Sequence, residues 1–301
     1  MSWQLRVMVW GMRWLVRPHL ARTTSPAQAR RELSLAARCF RAPPYMLHLP
    51  RGGLHWISVG RCDPDRVILF LHGGAYLAGS PFTHAAMLGR LSKLTGLAVV
   101  APDYRLAPEH PAPAAFEDAV AAHGALLAKG YAAEQIVLGG DSAGGGLALA
   151  LLADLCARGL RPAGLFALSP WTDLALSGDS LRRNARADPL FPVTRMVEAA
   201  GYVLGGFPAT DPRISPLYAR FDAPPPVFLQ VGTTEILLDD SRRMAERLRA
   251  AGGQVVLTEW PDAPHVWQLL DGYLPEARAA LRAVAGFVRA LTPLRPPRSG
   301  S

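Results

Sequence analysis

The sequence predicts an α/β fold in which a mostly parallel sheet is covered by helices on both faces. Short continuous apolar runs, such as Val67 to Leu71 and Leu97 to Ala101, recur along the chain. Strands buried on both faces read this way. Between these runs stand longer stretches of helical periodicity, and strands that alternate with helices imply parallel pairing. The 301 residues are 50% hydrophobic and only 19% charged. That composition suits one large core and excludes a disordered chain.

Taken in order, the regular pattern begins after about residue 46. Leu54 to Val59 reads as a short strand, and Val67 to Leu71 as a buried one. Ala85 to Leu94 reads as a helix, Leu97 to Ala101 as the next strand, and Ala114 to Leu127 as a helix after a Pro-rich loop. Ile136 to Gly139 is a strand followed by an Ala/Leu-rich helix, Ala143 to Ala157. Leu165 to Leu168 and Val227 to Val231 are strands, and Asp239 to Ala250 is a helix. Val255 to Trp260 is the last strand and Pro275 to Ala290 the last helix. Two segments break the alternation: residues 1–45, and residues 174–215 with a helix-like stretch from Thr194 to Leu204. A long insertion between core strands is usually a functional loop, so these two segments are expected to pack together as a cap. The core is then residues 46–173 and 216–292, and the Pro-rich tail, 293–301, is expected to be disordered.

Composition removes several function classes. Cys39, Cys62 and Cys156 are few, scattered and odd in number, which excludes a disulfide scaffold and fits a reducing, cytoplasmic setting. The longest uncharged apolar run, Ala143 to Ala153, falls short of the roughly 20 residues a membrane helix needs. With no CxxC or HExxH pattern, no zinc is expected, and nothing implies a cofactor.

The net charge of +8 is unevenly spread. Residues 1–62 hold ten arginines and one acid, Glu32, whereas the remainder sums to −1. Nucleic-acid binders can carry such a patch, but no nucleic-acid motif accompanies it, and none is expected as a partner. Trp3, Leu5, Val7, Met8, Trp10, Met12, Trp14 and Leu15 are interleaved with Arg6, Arg13 and Arg17. Three readings fit this segment: a helix packed on the body of the protein, an interfacial helix on anionic lipid, and a targeting signal. The third is weakened by Arg13 within the apolar stretch and by the lack of a small-residue cleavage site.

The chemistry is concentrated in four places. Gly140-Asp-Ser-Ala-Gly144 fits GxSxG and stands between a predicted strand and a predicted helix. That context is a nucleophile elbow, which exposes the serine at the carboxyl edge of the sheet above a helix N-terminus. His72-Gly-Gly-Ala75 follows the strand ending at Leu71. Glycines there let backbone N–H groups approach an oxyanion closely, which makes Gly73, Gly74 and Ala143 the candidate donors. A serine nucleophile needs a base and an orienting carboxylate. Of eight histidines only His265, in Pro261-Asp-Ala-Pro-His265, lies after Ser142. The carboxylate should follow the strand ending at Val231. Glu235, Asp239 and Asp240 compete for that role. Position favours Glu235, because the two aspartates open a helical run where carboxylates act as caps. Asp103-Tyr-Arg105 reads as a structural loop held by an Arg–carboxylate pair.

HGGA at 72–75, Asp103-Tyr-Arg-Leu-Ala-Pro-Glu-His-Pro111, GDSAGG at 140–145, Ser169-Pro-Trp171 and the PxH loop at His265 together resemble the bacterial hormone-sensitive-lipase-like esterases. These are α/β-hydrolase carboxylesterases with a cap. The resemblance spans residues 67 to 270. It implies an eight-stranded core, a cap built from the N-terminal segment and a later insertion, and hydrolysis of short- to medium-chain acyl esters. It gives Ser142 the nucleophile role, His265 the base and Gly73, Gly74 and Ala143 the oxyanion donors. Glu235 falls where the family usually has an aspartate. Ala75 replaces the third glycine of the family's HGGG. Trp171, Phe191, Tyr202 and Phe207 are expected pocket walls, and a homodimer through the edge strand Val255 to Trp260 is the expectation by analogy. Three rival readings are a lipase acting on longer-chain lipid esters, a ligand-binding protein on the same scaffold, and a hydrolase that keeps the triad but acts on amides or peptides. His265 stands against the second, since the receptors that resemble this family have lost that histidine.

Overall fold

The computed structural model describes residues 1–23 and 25–291. The tail expected at 293–301 lies outside the described residues. Helices α1 (Trp3–Gly11) and α2 (Arg17–Arg22) are joined by a π-helical turn, Met12–Val16, and α3 (Pro26–Ala37) follows. Strands β1 (Met46–Arg51), β2 (Leu54–Val59) and β3 (Asp63–Leu71) lead to α4 (Pro81–Thr95), β4 (Leu97–Pro102) and α5 (Ala114–Ala128). Then come β5 (Ile136–Asp141), α6 (Ser142–Ala157), β6 (Gly164–Leu168), α7 (Ser180–Arg183) and α8 (Val193–Leu204). The chain closes with β7 (Val227–Gly232), α9 (Leu238–Ala250), β8 (Val255–Trp260) and α10 (Pro275–Ala290).

The eight strands form one sheet in the order β1-β2-β4-β3-β5-β6-β7-β8. β1 and β2 pair antiparallel, as do β2 and β4, and every other pair is parallel. β1 is absent from the pattern read above because it is a half-exposed edge strand containing Pro50 and has no continuous apolar run. β3 begins four residues earlier than predicted, with polar, exposed residues at its amino end. α4 also starts earlier, at Pro81, where Ser80 and Thr83 form a capping box.

Period-2 alternation along the central strands divides the core in two. Val67, Leu69 and Leu71 point to one face, which is covered by α5, α6 and α9. Ile68 and Phe70 point to the other face, where α4 and α10 supply Met87, Leu88, Leu91, Leu281, Val284 and Val288. A third, smaller cluster joins Leu5 of α1 to Ala263, Trp267, Leu274, Ala277 and Ala280. The N-terminal segment is thereby anchored beside the loop after β8. Arg13 donates to the carbonyls of Arg186 and Ala187, and Arg17 to that of Ala185. Arg30 of α3 donates to Leu77 O and Ala107 O, both at 2.8 Å. The two segments outside the alternation are thus bonded to each other and to loops at the carboxyl ends of β3 and β4. Cys39, Cys62 and Cys156 are unpaired. Among the described residues, no helix is long and apolar enough to cross a membrane.

Phe166 is fully buried in the sheet, whereas Val256 is exposed on edge strand β8. Phe166→Ala is expected to cost about 3–5 kcal/mol and Val256→Ser no more than about 0.5 kcal/mol, read from denaturant midpoints. Equal losses in the two variants would contradict this account of the core.

Candidate active site

Gly73, Gly74, Ser142, Ala143, Glu235 and His265 all follow closely on the carboxyl ends of β3, β5, β7 and β8, where open parallel sheets place their ligand sites. β5 turns directly into α6 at Ser142, whose φ is 52°. A non-glycine residue is seldom held in this region, at a cost of order 1–3 kcal/mol. The turn requires Gly144 to lack a side chain, since a Cβ there would sit 2.1 Å from Leu71 O and 2.3 Å from His72 O. Of the eight other non-glycine residues with positive φ among the described residues, Ala75, Tyr76, Ser169 and Val266 stand on loops around Ser142, so half of these unusual conformations are gathered at the site.

Ser142, His265 and Glu235 come together in a buried line. Ser142 Oγ lies 2.8 Å from His265 Nε2, and His265 Nδ1 lies 2.6 Å from Glu235 Oε2. The arrangement makes Nδ1–H the donor to the carboxylate and leaves Nε2 to accept from the hydroxyl. Glu235 Oε1 accepts from Gly232 N at 2.6 Å and from Ser169 Oγ at 2.7 Å. Ser169 Oγ in turn accepts from Val266 N at 3.3 Å. Ser169 therefore ties the loop of Glu235 to the loop of His265. It belonged to a motif quoted only for its resemblance, and nothing in the local sequence signals a contact with a residue 66 positions away.

The rival carboxylates are occupied elsewhere. Asp239 accepts from Ser180 N and pairs with Arg183. Asp240 accepts from the amides of Thr172 and Asp173. Burial pushes its carboxyl up to about 7, although the Thr172 amide bond pulls the other way.

The oxyanion cradle needs one correction. Gly73 N already donates to Asp141 Oδ1 at 2.9 Å in the buried interior, so Gly73 is not a free donor. Its role is to close the loop, since a Cβ there would lie 2.2 Å from Asp141 Oδ2. Among the described residues, the N–H groups of Gly74, Ala75 and Ala143 meet no protein acceptor. Gly74 has φ +123° and would drive a Cβ into Ala78 O. His72 is structural. It is buried and stacked on Tyr104 at 4.2 Å, and Tyr104 donates to its carbonyl. Burial, with His84 close by, lowers its pKa to about 3 and keeps it neutral. Arg105 pairs with Glu117 and Asp118, which makes the Asp103–Arg105 loop a scaffold.

Of the aromatic residues expected as walls, Phe191 meets the imidazole edge-on, with ring centroids 4.9 Å apart. Trp171 is fully buried, and its indole donates to Asp173 O at 3.1 Å. Tyr202 is on the exposed side of α8, and Phe207 is half-buried beneath Arg213. Two surface clefts, of about 310 and 400 Å³, lie away from Ser142. One is beside α1 and the other between Arg41 and α10.

Burial opposes a charge on His265, but the Glu235 carboxylate outweighs it and raises the imidazole above the ordinary histidine pKa of 6.5. A neutral ring here can accept the Ser142 proton and a charged one cannot, so a reaction that draws on this ring is lost as pH falls through that pKa. The acid limb of kcat/KM is therefore expected to have its midpoint above pH 6.5, and a midpoint below it would contradict the Glu235 contact. Ser169→Ala should lower kcat by about tenfold with KM nearly unchanged and should shift the same limb, because Glu235 loses one of its two holders. Unchanged kcat and pH profile would leave Ser169 with packing alone.

A family model described as alpha/beta hydrolase fold matches residues 68–269. An acetyl-hydrolase of Streptomyces hygroscopicus is 39% identical over 238 residues, 79% of each chain. An esterase of Acinetobacter venetianus is 38% identical over 233 residues, 77% of each chain. Among solved structures, an esterase from the bacterial hormone-sensitive lipase family superposes with a TM-score of 0.91 at 38% identity, covering 97% of this chain and 99% of that one. The fold, the buried Ser–His–Glu line and these likenesses lead to one assignment: the chain belongs to the α/β-hydrolase family, among its hormone-sensitive-lipase-like carboxylesterases.

Proposed function

We propose that the protein hydrolyses short- to medium-chain carboxylic esters by two-step acyl transfer through Ser142. The observation that carries this reading is the continuous bond line from Ser142 Oγ through the His265 imidazole to Glu235. His265 Nε2 takes the Ser142 proton as Oγ attacks the ester carbonyl. Glu235 fixes the ring tautomer and stabilises the imidazolium. The N–H groups of Gly74 and Ala143, with Ala75 beside them, receive the oxyanion in place of the expected Gly73. The imidazolium then gives its proton to the departing alkoxide, and the alcohol leaves. Water attacks the acyl-enzyme while Nε2 takes its proton, and transfer of that proton to Oγ frees the carboxylic acid and restores the serine. Every proton is accounted for within the Ser–His pair.

The limit on chain length rests on enclosure. Ser142 and His265 are buried, and Phe191, from the segment 174–215, closes over the imidazole. In this reading residues 1–45 and 174–215 form the cap that bounds the acyl space. Turnover of p-nitrophenyl esters from acetyl to palmitoyl tests this, and the profile is expected to peak at short or medium chains. A maximum at palmitoyl would move the reading to a lipase.

Ser142→Ala should remove at least about 10⁴-fold of kcat/KM with the fold intact, and Glu235→Ala should cost far more activity than Asp239→Ala. Full activity in the first variant, or the reverse ranking in the second pair, would overturn the assignment.

A further inference from the structure

Trp3, Val7, Trp10 and Trp14 recur at intervals of four, three and four residues, which places them on one side of the α1–α2 helical run. They are 71%, 60%, 62% and 63% exposed. The opposite side is fixed, because Leu5 is buried against Ala263 and Trp267. The helix is thus locked to the body and presents its tryptophans to solvent. None of the four other tryptophans is so exposed: Trp171 and Trp267 are wholly enclosed, and Trp56 and Trp260 are half-buried. A contiguous exposed apolar stripe of this size marks an interaction surface.

Charge indicates what covers it. Residues 1–31 carry six arginines and no aspartate or glutamate. The body beyond residue 62 sums to −1, so the excess positive charge belongs to the segment that carries the stripe. Arg6 is exposed on the same helix. Arg13 and Arg17 flank the stripe and hold the neighbouring segment through its carbonyls. The acids bonded to residues 1–22 or lining the cleft beside them are, among the described residues, Glu276, bonded to Ser2, Glu32, paired with His19 of α2, and Asp262 in the cleft beside α1. Tryptophan rings favour the boundary between headgroups and acyl chains, and arginine heads reach anionic headgroups while their stems stay apolar. Self-docking through the same face would bring two basic segments together, and like charges oppose that contact.

We propose that the exposed face of α1–α2 docks the protein on an anionic lipid bilayer. Ala263 and Trp267 stand two residues on either side of His265, so the docked helix lies against the loop that carries the base. The surface contact and the reaction site thus share one packed unit.

The test is co-sedimentation of the full chain with vesicles of phosphatidylcholine alone and with about 30% phosphatidylglycerol, at low and high salt. The parent should bind the anionic vesicles about tenfold or more tightly than the neutral ones, and high salt should weaken that binding. A variant combining Trp3→Ser, Trp10→Ser and Trp14→Ser should lose about tenfold or more of the binding. Its turnover of soluble p-nitrophenyl butyrate should stay within about twofold of the parent, which reports an intact fold. Equal binding to both vesicle types, or equal binding by parent and variant, would overturn the proposal. A lipid-free dimer in sedimentation analysis that the variant abolishes would instead assign the face to a second copy of the chain and overturn it as well.

Discussion

The left-handed backbone at Ser142 is the constraint on which the site depends. With φ at 52°, the chain leaves β5 and enters α6 with no intervening residue, and the helix must then pass directly beneath neighbouring loops. The carbonyls of Leu71 and His72 fill the space a Cβ on Gly144 would need, so the loop after β3 runs close over this turn. Asp141 receives Gly73 N from that loop, and Trp171 N donates to Ser142 O from the loop after β6. The strain is held because α6 is buried along nearly its whole length and cannot relax outward. One tight turn therefore sets the position of Ser142, of the loop after β3 and of the loop that carries Ser169.

The acid loop is held from the opposite direction, by the segment between β6 and β7. Asn184 donates to Thr233 O and Glu235 O, and Ser180 Oγ donates to Ile236 O at 2.6 Å. Asp188 accepts from Ile236 N and also from Leu190 N and Phe191 N. The same carboxylate thus positions the loop after Glu235 and the aromatic ring that meets His265. The placement of Glu235 and that of the ring beside His265 are mechanically joined. A residue that alters the segment 180–191 would act on the imidazole as well as on the space around it.

Much of this could be read from sequence wherever the signal was local. GDSAGG, HGG and PDAPH each pack their chemistry into three to six residues, and the buried strands announce themselves as unbroken apolar runs. Glu235 could be ranked above Asp239 and Asp240 because the two aspartates open α9. What escaped the sequence was long-range or weakly patterned. β1 is a half-exposed edge with a proline. The loss of Gly73 as a donor depends on a carboxylate 68 residues away. Ser169, Asn184 and Asp188 act through partners about 50 residues or more distant. Aromatic content offered Trp171, Phe191, Tyr202 and Phe207 alike as walls, and only tertiary packing separates a core indole and two peripheral rings from Phe191 beside His265.

The central claim is that Ser142 attacks the carbonyl of the substrate and carries the acyl group. The most direct measurement is peptide-mapped mass spectrometry after brief exposure to an alkyl fluorophosphonate, a reagent that reacts with an activated serine and stays attached. The account predicts one stoichiometric adduct, located on Ser142, with activity lost in step with its formation. Labelling of another residue, or activity that survives full modification of Ser142, would contradict it.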